Sequence, residues 1–105
     1  MKVKVTEEKL YPIFKKFMEI QFKKYEWRED RLGNNWFIDP DGYGHMVLFD
    51  ISLLRVYRDI IDKILRFLPM EESMLESLMG KWVGENFKFK RIETIEWPRQ
   101  GGIND

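Results

Sequence analysis

The chain has 105 residues, 44% hydrophobic and 15% aromatic, with 18 Lys plus Arg against 18 Asp plus Glu. Such a chain can build one core without disulfides or a structural metal, and it is not a disordered one, which would lack the apolar surface to offset chain entropy. Balanced charge excludes a global field for nucleic acid or anionic lipid, so any such binding needs a local patch.

Catalytic groups are scarce. There is no Cys, one His (His45), and five aliphatic hydroxyls, Thr6, Ser52, Ser73, Ser77 and Thr94. Nucleophilic catalysis needs Ser or Cys beside an activating base, and a zinc site needs three or four His, Cys or carboxylate ligands. The expectation is therefore a non-enzymatic protein with no cofactor and no metal. No run reaches the roughly 18 apolar residues of a membrane span, and Glu7, Glu8 and Lys9 leave no apolar signal segment. Absence of Cys fits a reducing, cytoplasmic setting.

Along the chain, Val3 and Val5 alternate with Lys2 and Lys4 as in a short half-buried strand. Thr6, Glu7 and Glu8 read as a helix start, but Pro12 would clash with the carbonyl four residues back, which places the regular helix from about Pro12 onward. Ile13, Phe14, Phe17, Met18, Gln21, Phe22 and Tyr25 then share one helical face. Trp36 to Asp39 and His45 to Phe49 read as two strands of a hairpin joined by the turn-rich Pro40-Asp41-Gly42-Tyr43-Gly44.

Asp50 or Ser52 can cap a second helix, whose apolar band runs from Leu53 and Leu54 through Val56, Tyr57, Ile60, Ile61 and Ile64 to Leu68. Arg55/Asp59, Asp59/Lys63 and Asp62/Arg66 would support it at i, i+4 spacing. Pro69 ends it, and a third helix follows over 70–83, with Gly84 as its stop. The last strand is expected over 87–97. Its alternation slips near Lys90-Arg91, which implies a bulge or bend. Residues 98–105 read as a frayed tail.

The order β-α-β-β-α-α-β implies one α+β domain over 1–97. The expected sheet is antiparallel, of about four strands, with helices packed on one face, and a ferredoxin-like split β-α-β pair is the favoured arrangement.

Residues 41–49 carry the pattern Gly42-Tyr43-Gly44-His45-x-Val47-x-Phe49. This segment resembles the RNP1 element of RNA-recognition-motif domains, with Asp41 where that element has a basic residue. The resemblance implies that Tyr43 and His45 stack on unpaired bases. Lys88, Lys90 and Arg91 interleave with Phe87 and Phe89, a mixture that can hold single-stranded RNA or DNA; period-two alternation at a strand edge produces the same pattern without a ligand. Asp39-x-Asp41-Gly42 has the opening spacing of a calcium loop but lacks its later ligands, and Asp-Gly turn chemistry accounts for it. Asp39 or Asp41 with Asp50 could serve a carboxylate hydrolase, although nothing in the spacing sets their separation.

Met70, Met74, Met79 and Trp82 lie on one side of the third helix, and such soft, adaptable side chains suit an interface. The leading expectation is a small protein-binding module, an inhibitor, an antidote or a homodimer, whose partner is an unknown protein or itself. The alternative is a single-stranded nucleic-acid binder.

Overall fold

The computed structural model describes residues 6–49 and 52–95. The expected strand at Val3 and Val5, the cap at Asp50, the end of the last strand at Trp97 and the tail over 98–105 lie outside the described residues.

The first helix, α1 (Glu7–Gln21), begins at Thr6, whose hydroxyl accepts the Lys9 N–H, and Glu7 and Glu8 sit at its positive end. The helix therefore starts well before Pro12. A proline there removes only the bond to the Glu8 carbonyl, and both residues are exposed, so water can replace the missing donor. Phe14 and Met18 are buried on one side of α1.

Next comes a four-strand meander: β1 (Glu26–Glu29), β2 (Asn35–Ile38), β3 (Gly44–Phe49) and β4 (Leu53–Tyr57), each antiparallel to the one before. Helices α2 (Arg58–Phe67) and α3 (Glu72–Gly84) follow, and β5 (Arg91–Ile95) returns parallel to β4. The sheet order is β1-β2-β3-β4-β5. This is a single α+β domain, but its sheet is mixed, with five strands among the described residues, in place of the four antiparallel strands expected. The sequential order also differs from the interleaved order of a ferredoxin-like pair.

Two segments account for the difference. Tyr25 continues the apolar stripe of α1, yet the helix ends at Gln21 and Glu26–Glu29 forms β1, where Trp27 pairs with Phe37 of β2. Leu53, Leu54, Val56 and Tyr57 fit a helical band as well as a strand; here they form β4, buried at Leu53, Leu54 and Val56. The expected ion pairs move accordingly. Arg55 faces Glu93 across β4 and β5, and Arg58 takes Asp62 along α2 and Glu72 of α3. The last strand begins at Arg91 and not at Phe87, so the expected slip falls at its start: both the Lys90 and Arg91 N–H groups donate to the Ser52 carbonyl, and the ladder begins at Arg91.

All three helices contribute to one core on a single face of the sheet. Phe14, Met18, Ile60, Ile64, Leu75 and Leu78 pack with Phe37, Met46, Leu54 and Val56. On the opposite face Trp36 stacks with Tyr57 and Arg55 lies over the Phe49 ring, while Val47 between them is fully buried. The Trp36 ring occupies the space that a Cβ on Gly44 would need, so β3 can begin there only with glycine unless the ring moves.

Candidate functional site

Two turns of the meander are built alike. In each, an Asp carboxylate oxygen accepts the N–H two residues on and again the N–H four residues on. Asp30 takes Leu32 and Asn34, both at 2.9 Å; Asp39 takes Asp41 at 2.9 Å and Tyr43 at 3.0 Å. The Gly three residues after each Asp, Gly33 or Gly42, sits at φ 85° or 90° and donates to the Asp carbonyl. Glycine is the residue that adopts this left-handed conformation without a Cβ penalty. The second carboxylate oxygen reaches six residues on in both turns, to Trp36 Nε1 at 2.9 Å in the first and to His45 Nε2 at 2.9 Å in the second.

The position of His45 comes from a break in the ladder. Phe37 pairs with Met46 but Ile38 pairs with Gly44, which leaves His45 as the extra residue of β3. A bulge of this kind re-aims a side chain. The His45 ring is 6% exposed, with its centroid 5.2 Å from the Tyr25 ring. Its other nitrogen, Nδ1, lies 3.0 Å from Oδ2 of Asp59 in the first turn of α2.

Both ring nitrogens thus lie within hydrogen-bond distance of a carboxylate oxygen, one in the turn and one on the helix. The cluster Asp39–His45–Asp59 is a clamp between the β2–β3 turn and α2. Burial works to raise the Asp39 carboxyl, but the His45 hydrogen bond, the Tyr43 N–H, the His45 charge and the Asp41 N–H together hold it below the usual carboxylate range. The Asp30 carboxyl is also lowered, chiefly by the Trp36 N–H, against a smaller opposing effect of burial.

With both ring nitrogens committed, His45 is badly placed to take a proton from a substrate. Among the described residues, no group of three His, Asp or Glu side chains is arranged to hold a metal ion. A small apolar cavity of about 10 Å³ lies between β4, β5 and the helices, lined by Val56, Leu75, Met79 and Ile92 among others.

The residues singled out for base stacking do not form one platform. Tyr43 is exposed in the turn, but His45 points inward to its two carboxylates. Phe87 packs against Trp27 with ring centroids 4.8 Å apart, Phe89 lies over Gly80 of α3, and both precede β5. Lys88, Lys90 and Arg91 are exposed around them. The Asp39-x-Asp41 spacing serves the turn: Asp39 caps it and Asp41 supplies a backbone donor.

The soft side of α3 faces largely inward. Met79 is buried, Met74 and Trp82 are partly buried against the core, as is Met70, which precedes the helix instead of lying on it, and Trp82 meets Phe37 edge-on.

Exposed apolar side chains group on α1 and at the end of α2, while Leu32 and Tyr43 are exposed singly in the two turns of the meander. Ile13 is 57% exposed, Ile20 62% and Phe67 53%. Phe17, between the two isoleucines on α1, has its ring 6.2 Å from that of Phe67. Sequence reasoning placed Ile13 with Phe14 on one buried face. The available signal was that Ile13, Phe17 and Ile20 make a stripe of their own, displaced from Phe14, Met18 and Phe22 by about 130° around the helix.

Among the described residues, no helix is long and apolar enough to cross a membrane. Comparison with protein-family models, with curated proteins and with solved structures gives no match in any of the three.

Proposed function

We propose that the chain is a small non-catalytic protein-binding module that works through α1 and the end of α2. The observation that carries this reading is the exposure of Ile13, Ile20 and Phe67 around Phe17. Large side chains grouped in this way keep apolar area in water, a cost that a partner removes on binding. The saturated His45 clamp supports the same reading, since the one imidazole of the chain is spent on joining elements. An inhibitor or antidote role in a cytoplasmic setting fits a cysteine-free domain of this size.

This reading moves the interface away from Met70, Met74, Met79 and Trp82. Single-stranded RNA or DNA binding through Tyr43, Phe87 and Phe89 has less support, because His45 and Phe87 are engaged inside the protein.

A photoreactive amino acid at position 20 tests the proposal in the cells that make the protein. It is expected to cross-link to one discrete protein, while the same probe at Lys88 does not. Equal labelling from both positions, or none from position 20, overturns the reading.

A further inference from the structure

The stripe has a charged border, and the border bears on its occupant. Lys9 and Lys16, seven residues apart on α1, are both exposed. Each lies three or four positions from Ile13, and Lys16 lies four before Ile20, so both adjoin the stripe on a helical surface. Lys15 points elsewhere, since its Nζ is 2.9 Å from Glu85 at the end of α3. On the α2 side, Lys63 holds its Nζ 5.4 Å from the Phe22 ring centroid. Glu8 and Glu19 are exposed too, but the helical turn carries them some 60° or more beyond the Lys9–Lys16 line, away from the isoleucines.

We infer that the Ile13–Phe17–Ile20 stripe, with Phe67 beside it, docks an amphipathic helix of a protein partner whose flanks are acidic. The inference rests on the protein-binding reading and adds the chemistry of the partner. Ile13, Phe17 and Ile20 stand at i, i+4 and i+7, the spacing with which one helix lies along another. Phe67 forms the second wall, so a third helix can rest between α1 and the end of α2. Lysines on the border then meet carboxylates on the flank of that helix, which speeds and orients the encounter.

A second copy is a poor occupant. Antiparallel packing of α1 on its own copy sets the same flank against itself, so Lys9 and Lys16 would face lysines. A lipid surface is a different class of partner. It would accept the basic border but make no use of the wall at Phe67.

The test uses the full chain and two labelled helical peptides with identical Leu stripes, one flanked by Glu and the other by Lys, followed by fluorescence anisotropy. The Glu peptide is expected to bind at least about tenfold more tightly at low salt, with the preference shrinking as salt screens it. The double variant Ile13→Ser/Ile20→Ser is expected to lose binding while keeping its melting temperature. Lys9→Glu/Lys16→Glu is expected to reverse the preference between the peptides. Equal binding of both peptides, binding of neither, tighter binding to phosphatidylserine vesicles than to the Glu peptide, or self-association that depends on Ile20 each overturns the inference. If the Lys peptide binds at the stripe, the acidic partner falls while the protein-binding reading stands. A failed cross-link from position 20 removes both.

Discussion

The turns over 30–34 and 39–43 share one plan, and the difference between them lies in the partner of a single carboxylate oxygen. In the first, Asp30 reaches the indole N–H of Trp36, a neutral group with one donor, and the chain of hydrogen bonds stops there. In the second, Asp39 reaches His45, which has a second nitrogen and passes the connection on to Asp59 of α2. The same backbone device is thus a local cap at one end of β2 and a tie between sheet and helix layer at the other. The lesson is that an Asp-x-x-Gly turn sets its own geometry, whereas the residue six positions after the Asp decides whether the turn is coupled to the rest of the fold.

Breaking the second turn should cost most. Asp39→Ala leaves the buried His45 ring with one carboxylate partner and removes the acceptor for two backbone N–H groups, and it is expected to destabilise the protein by about 3 kcal/mol in urea unfolding. Asp30→Ala should cost clearly less, and equal losses would contradict the comparison. The glycines probe what the turns have in common. Gly33→Ala and Gly42→Ala force a Cβ into the left-handed region with nothing nearby to clash, so each should cost about 1–2 kcal/mol and the two should agree closely.

A smaller effect isolates the tie itself. Asp59 is more exposed than Asp39 and caps no hairpin turn, so Asp59→Ala is expected to cost about 1 kcal/mol. Protection of the α2 amides from hydrogen exchange should fall, with the 30–34 turn unaffected. The smallest effect is in acid. Both Asp carboxyls titrate below their ordinary value in the folded protein, so protonation favours the unfolded chain. Their stabilisation is complete above the unfolded value of about 3.9 and is lost as pH falls through the lower folded values. Asp39→Asn and Asp30→Asn should each flatten the decline in stability below that point, which melting curves across the acid range would show.

Much of this was legible in the sequence. The hairpin over 35–49 was readable because Asp39-Pro40-Asp41-Gly42 is strong turn chemistry between apolar runs, and the break at Pro69 because proline ends helices. Strand β4 was not, since Leu53, Leu54, Val56 and Tyr57 satisfy both periodicities and only pairing with β3 and β5 decides between them. The likeness of the two turns was open to view as Asp30-x-x-Gly33 and Asp39-x-x-Gly42. What local pattern could not supply was the bulge that turns His45 inward and the long-range meeting with Asp59. The inward turn of the apolar side of α3 was hidden for a related reason: periodicity finds apolar stripes, but which stripe meets the sheet depends on how three helices share one face.

The parallel pairing of β5 with β4 also constrains the order of assembly. Strands β1 to β4 are joined by short turns and can zip together from local contacts, whereas Leu53 and its partner Arg91 are separated by about 40 positions that include two helices. Closing that loop is the most entropically demanding step in the sheet, and it cannot be completed until α2 and α3 have been laid down. During synthesis the meander can therefore form first, with the β4 edge unpaired until Arg91–Ile95 emerges to cover it.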